Sequence, residues 1–220
     1  MSELSLPLDD TVLFDPAAPG AIEMASELIA QGGVVAIPTD TVYGVAASLS
    51  HPGALRRIYE IKGRDRSKPL PILVSSTDAL ARLVPEIDPN IALLLSVYWP
   101  GPLTIVVESS TDMPAEVLAP DDTIAIRLPN HMLAIELIDR AGGAVACTSA
   151  NISGRDPAAS AQDVFATLAP ALDGVVEGGI APGGVPSTII RIADGEIVSV
   201  REGPIPIEHI RATWDSFRTE

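Results

Sequence analysis

Apolar runs of four or five residues recur along this chain, each closed by glycine, proline or a polar turn, and between them lie stretches with apolar residues at helical spacing. Such a chain can bury its apolar groups only by stacking strands under helices. The spacing predicts helices over residues 21–31, 52–61, 78–84, 89–98, 131–141 and 161–168. Strands are expected over 34–37, 71–74, 103–107, 124–128, 144–148 and 175–177. Residues 188–192 and 196–200 resemble a hairpin across Ala193-Asp194-Gly195, and residues from about 207 onward form a short terminal helix or fray. The alternation predicts a single layered α/β domain over residues 1–220. The Gly/Pro-rich stretch 178–186 lies between strands of that domain, so it reads as a covering or functional loop and not as a linker.

Composition narrows the function classes. The chain is 47% hydrophobic but only 4% aromatic, so Val, Ile, Leu and Ala must fill the core. A net charge of −15 repels phosphate backbones, so direct nucleic-acid binding is expected to be weak or absent. The lone Cys147 cannot form an internal disulfide, and Met1–Pro7 lacks the basic and apolar regions of a signal peptide, which together suggest a cytoplasmic setting. No apolar run approaches the ~18 residues of a membrane span. The motifs GxxxxGK[ST], GxGxxG and GxSxG are all missing. His51, His131 and His209 are far apart and none has metal-site spacing with the cysteine, so no protein-bound transition metal is expected.

Against this acidic background three features stand out. Arg56, Arg57, Lys62, Arg64, Arg66 and Lys68 hold six of the 14 basic residues, accompanied only by Glu60 and Asp65. The cluster is either an anion site or a solvated loop paired with neighbouring acids. Arg127 ends the apolar run Ile124-Ala125-Ile126, where a guanidinium needs either an anionic ligand or an internal salt bridge. The polar segment Thr148-Ser149-Ala150-Asn151-Ile152-Ser153-Gly154 follows a strand and suits ligand contacts or ordinary turn chemistry. Similar polar turns, Thr39-Asp40-Thr41 and Ser187-Thr188, adjoin other strands, and together they could line one crevice.

Six blocks carry a resemblance: Pro38-Thr39-Asp40-Thr41-Val42-Tyr43-Gly44, Lys62-Gly63-Arg64 with Lys68-Pro69, Trp99-Pro100-Gly101-Pro102-Leu103-Thr104, Ala125-Ile126-Arg127-Leu128-Pro129, Thr148-Ser149-Ala150-Asn151 and Ser187-Thr188-Ile189. In this order, across residues 20–206, they resemble the YrdC/Sua5 family. The resemblance implies a twisted open α/β sheet with flanking helices and a large concave cavity. It also implies a nucleotidyltransferase that condenses L-threonine, bicarbonate and ATP into threonylcarbamoyl-adenylate for the N6-threonylcarbamoyl modification of adenosine 37 in tRNA. Carried over by position, Lys62, Arg64, Ser149 and Asn151 would be catalytic. Arg64, Lys68, Thr123, Ser149 and Arg201 would bind ATP, and Thr41, Arg127, Cys147 (through its backbone) and Ser187 would hold threonine. Mg²⁺ is expected to arrive with ATP, held by phosphate and water. A tRNA threonylcarbamoyl transferase is expected downstream. Some relatives carry a histidine where this chain has Leu73, and longer relatives append a second domain; this chain resembles the short form. Rival readings are a carbamoyl-handling enzyme, a double-stranded RNA-binding module and an inactive paralogue.

Overall fold

The computed structural model describes residues 11–84, 86–109 and 113–217. The N-terminal segment read above for a signal sequence lies outside the described residues. Ten strands form one mixed sheet: β1 Val12–Phe14, β2 Val35–Ile37, β3 Gly44–Ser48, β4 Ile72–Val74, β5 Leu103–Glu108, β6 Thr123–Arg127, β7 Ala144–Ser149, β8 Gly174–Val176, β9 Thr188–Ala193 and β10 Glu196–Arg201. Their spatial order is β1-β8-β2-β3-β7-β4-β6-β5-β9-β10. The helices are α1 Ala21–Ala30, α2 Pro52–Lys62, α3 Thr77–Ala81, α4 Pro89–Tyr98, α5 Met132–Arg140, α6 Ala161–Thr167 and α7 Ile207–Phe217.

Period-two alternation splits the central strands between two cores. Val34, Ala36, Val45, Ala47, Ile72, Val74 and Ala146 enter the larger core, with Leu55 and Ile58 of α2, Leu94 of α4, Val164 of α6 and Trp214 of α7. Val35, Ile37, Ala46, Leu73, Val145 and Cys147 face the other way, onto Ile22 and Ile29 of α1 and Leu137 and Ile138 of α5. Each fully buried Leu or Ile contributes about 1.5–3 kcal/mol. The central strands are therefore apolar on both faces, and it is their pairing in the sheet that decides which side chains enter which core. Beyond β4 the second face continues across β6 and β5, where Arg127 pairs with Leu73 and Thr104 lies between Leu103 and Ile105 of the larger core.

Local chemistry sets the helix ends that matter for the site. Pro52 opens α2, where a missing N–H costs nothing. Gly63, in the left-handed region at φ 56°, closes it, with Gly63 N–H bonded to Glu60 O and Arg64 N–H to Tyr59 O. That stop leaves Lys62 on the last turn and Arg64 just beyond. A capping box between Ser160 and Asp163 opens α6.

Two strands were not anticipated. Gly44–Ser48 is a strand because it pairs antiparallel with both β2 and β7, and not because its small residues favour one. Val12–Phe14 pairs parallel with β8 at the sheet edge. The helix expected over 78–84 is a correction: Ser76 caps it, accepting from Ala79 N–H at 3.1 Å, but it stops at Ala81 and the chain turns. The terminal segment from Ile207 is helical and packs Ile210 and Trp214 into the core.

Candidate active site

The turn after β2 supplies the first wall. Thr39 Oγ1 accepts from the N–H groups of Thr41 (3.1 Å) and Val42 (3.3 Å), donates to Val42 O (2.7 Å) and lies 3.0 Å from Thr41 Oγ1. One hydroxyl thus closes the turn and aims a second. Residues 178–184 lie over it. Gly184 N–H donates to Thr41 O at 3.0 Å, and a Cβ on Gly183 would stand 2.8 Å from Thr41 Cα.

Arg127, the last residue of β6, points into the space beside that turn and is 5% exposed. Its Nε donates to Gly101 O (2.9 Å), one Nη to Thr41 Oγ1 (2.9 Å) and the other Nη to the Asp40 carboxylate. Burial disfavours the guanidinium charge and holds it below its usual range, and Asp40 offsets part of that effect. The opposite wall is a hydroxyl pair, Thr104 Oγ1 and Ser187 Oγ at 2.7 Å. Arg201 clasps the same serine, donating to Ser187 O from Nε (3.0 Å) and Nη2 (2.8 Å) and to its Oγ (3.1 Å).

The third wall is the turn after β7. Lys62 reaches it from α2 and is 2% exposed, with Nζ donating to Ser149 O, to Asn151 O at 2.7 Å and to Asn151 Oδ1 at 3.1 Å. Ser149 Oγ also donates to Asn151 Oδ1, at 2.6 Å. Desolvation pushes the Lys62 ammonium down to about 8, and nearby Arg64 adds to the effect. The lysine is thus solvated by carbonyls in place of a carboxylate.

Between the walls lies a pocket open to solvent, lined by Thr39, Thr41, Thr104, Arg127, Ser149, Ser187 and Arg201, with Val42, Gly44, Pro71, Leu73, Cys147, Thr148 and Pro186. Burial disfavours the Arg201 charge, and Arg127 and Arg64 add to the effect as like charges. Among the described residues, Asp40 is the one acid hydrogen-bonded to any of these three arginines, so the pocket is built for anions. Burial pushes the Cys147 thiol up to about 12, which makes it a poor nucleophile. Among the described residues, no three His, Cys, Asp or Glu side chains converge as a metal cage.

The residues singled out from sequence divide into two groups. Thr41, Arg127, Cys147, Ser149, Ser187 and Arg201 line one pocket. Lys62, Arg64, Lys68, Thr123 and Asn151 are outside its lining. Lys62 and Asn151 stand behind Ser149, and Arg64 folds its own loop by donating to Lys68 O and Pro69 O. Lys68 is exposed on that loop, and Thr123 donates to Asp121 at 2.7 Å. The remaining arginines of the basic cluster are in ion pairs: Arg56 with Glu116, Arg57 with Asp173 and Arg66 with Glu60. Thr104 escaped attention, although a single threonine in an otherwise apolar strand was its signal.

Residues 27–203 match the Sua5/YciO/YrdC family, described as "Telomere recombination". The chain belongs to that family. It is 37% identical over 197 residues to the threonylcarbamoyl-AMP synthase of Pyrococcus abyssi, a match covering 90% of this chain and 58% of that protein. With the threonylcarbamoyl-AMP synthase of Bacillus subtilis it shares 36% identity over 192 residues, 87% of this chain and 56% of the relative. The chain therefore spans a little over half the length of these two Sua5/YciO/YrdC relatives. The crystal structure of P. abyssi Sua5 complexed with L-threonine superposes with a TM-score of 0.86 at 34% identity, over 92% of this chain and 60% of that one. The twisted sheet with flanking helices and a concave pocket is the fold of this family.

Proposed function

We propose that this protein is a threonylcarbamoyl-AMP synthase: it joins L-threonine, bicarbonate and ATP into threonylcarbamoyl-adenylate and releases pyrophosphate, for the threonylcarbamoyl modification of tRNA. The observation that carries the reading is the buried Arg127 guanidinium, held between the Thr41 hydroxyl and Gly101 O and opening into a pocket with Ser187 on its far side. An amino-acid carboxylate suits that guanidinium through paired hydrogen bonds, with hydroxyls for the rest of the molecule. The relatives named as synthases and the threonine complex of P. abyssi Sua5 support the same choice.

In this reading Thr41, Arg127, Ser187 and the Cys147 backbone hold threonine. Arg64, Lys68, Thr123, Ser149 and Arg201 bind ATP, and Lys62, Arg64, Ser149 and Asn151 form the catalytic set. The threonine amine adds to bicarbonate carbon, water leaves, and the resulting carbamate oxygen attacks the α-phosphorus while the bond to pyrophosphate breaks. The protein's part is positioning and offsetting negative charge; no covalent nucleophile is needed. Lys62 contributes by fixing the Ser149–Asn151 turn, since its Nζ hydrogen bonds all go to that turn. The pocket lining offers hydroxyls and guanidinium groups, and Asp40 is already on Arg127, so these residues do not form a cage for Mg²⁺. We place the ion on the triphosphate as part of that substrate.

No helix among the described residues is long and apolar enough to cross a membrane. A cytoplasmic setting, where ATP, tRNA and a downstream transferase meet, completes the proposal. The test is incubation of the purified chain with ATP, Mg²⁺, bicarbonate and threonine, leaving out each in turn, while following pyrophosphate and searching for the adenylate by mass spectrometry. Release that needs both threonine and bicarbonate supports the synthase reading; release indifferent to threonine overturns it.

A further inference from the structure

A guanidinium that is 5% exposed must be held by partners on several sides, and the partners of Arg127 come from two separate segments. Gly101 O takes Nε, Thr41 Oγ1 takes Nη1 and the Asp40 carboxylate takes Nη2. An arginine has five N–H donors, so one on each Nη remains. Two parallel N–H groups are what a carboxylate accepts as a bidentate pair. Where they point depends on the rotation of the guanidinium plane, and among the described residues Asp40 is its one charged hydrogen-bond partner. The Asp40 side chain is 12% exposed and stands outside the pocket lining, behind the guanidinium.

We propose that Asp40 is a positioning residue for threonine recognition: it fixes the plane of Arg127 so that the two remaining N–H groups face the threonine carboxylate. The inference rests on the threonine-binding reading above. Two effects of the acid oppose each other. As a charge it weakens the pull of Arg127 on any anionic ligand; as a hydrogen-bond acceptor it prevents the guanidinium from turning away. Bidentate recognition fails when the fork is misdirected, whereas the Asp40 charge acts on the ligand only from behind the guanidinium, so orientation outweighs charge.

The two effects predict opposite results for Asp40→Ala, which removes the acceptor and the charge together. Binding of L-threonine alone and of a non-hydrolysable ATP analogue would be measured by calorimetry for the wild type and the variant, with a thermal melt of each. We expect the threonine Kd to rise at least ~10-fold, the scale of one charge-assisted hydrogen bond, with the ATP-analogue Kd within about twofold. Unchanged or tighter threonine binding in the variant would overturn the role of Asp40 while leaving the threonine site standing. A wild type that does not bind threonine would overturn the site itself and this inference with it. Should Asp40→Ala fail to fold, Asp40→Glu, which moves the acceptor by one methylene, takes the same measurement with the same expectation.

Discussion

Lys62, on the last turn of α2, and Asn151, in the turn after β7, are 89 residues apart in sequence and joined by two hydrogen bonds, from Nζ to the Asn151 carbonyl at 2.7 Å and to its Oδ1 at 3.1 Å. The basic loop and the polar turn, which look like separate features in sequence, are therefore one structural unit. The lysine sits behind the pocket and shapes its wall.

Replacing Lys62 with methionine removes the donor from Ser149 O, Asn151 O and Asn151 Oδ1 at a nearly fully buried position. Loss of the desolvated charge offsets part of the cost. Unsatisfied acceptors at about 1–3 kcal/mol leave an expected net loss of about 2 kcal/mol, readable by urea unfolding. Under the proposed function, adenylate synthesis should fall by at least ~100-fold, because the Ser149–Asn151 turn loses the three hydrogen bonds from Nζ that fix it. A variant with full stability and full activity would contradict the unit described above.

Lys62 also predicts a pH effect of definite sign. Its folded-state value is depressed to about 8 from 10.5, so the native state binds this proton less tightly than the unfolded chain. Between those values the unfolded state holds more protons, and the group's contribution to stability rises with pH, by up to about 1.4 kcal/mol per pH unit. Cys147 and Tyr43, both raised to about 12 by burial, act in the opposite direction at the alkaline end. They are present in wild type and Lys62→Met alike. The stability difference, wild type minus Lys62→Met, should therefore grow between about pH 7 and about pH 9.5; a flat or falling difference would show that Lys62 keeps its ordinary affinity for the proton.

The Cys147 thiol, 6% exposed, should be nearly inert in the folded protein. A thiol ionising near 12 instead of 9.0 carries roughly a thousandth of the thiolate at pH 8. Iodoacetamide should label it at least ~100-fold more slowly in buffer than in denaturing urea, followed by mass spectrometry. Equal rates would place the thiol in water.

Gly44 and Cys147 are coupled across β3 and β7. A Cβ on Gly44 would lie 2.4 Å from Cys147 Sγ, on the pocket side of the sheet. Gly44→Ala should cost about 1–3 kcal/mol from overpacking. In a Cys147→Ala background the same change should cost at least ~1 kcal/mol less. Additive costs in a four-protein denaturation cycle would mean that something other than this contact excludes a side chain at position 44.

Much of the molecule was legible from local pattern. Short apolar runs at 34–37 and 144–148 and helical spacing in α1 and α5 made the layered architecture and most element positions readable directly. Lys62 and Arg64 were readable as lying just past a helix over 52–61, which the structure extends by one residue to Lys62, and Arg127 was conspicuous as a charge closing an apolar strand. Recognition of six ordered blocks then supplied the family.

What needed the tertiary structure was every pairing between distant segments. Sequence left the basic cluster open between an anion site and a solvated loop; the fold sends Arg56, Arg57 and Arg66 into ion pairs and turns Lys62 inward. It placed Thr104 beside Ser187 and Asp40 on Arg127. It also made a strand of Gly44–Ser48, whose small residues carry little strand preference of their own, by giving it partners on both sides. The physical reason is the same in each case. Periodicity and capping are fixed by neighbours a few residues apart, whereas a site is fixed by the order in which strands lie side by side, and that order is selected by burial over the whole chain.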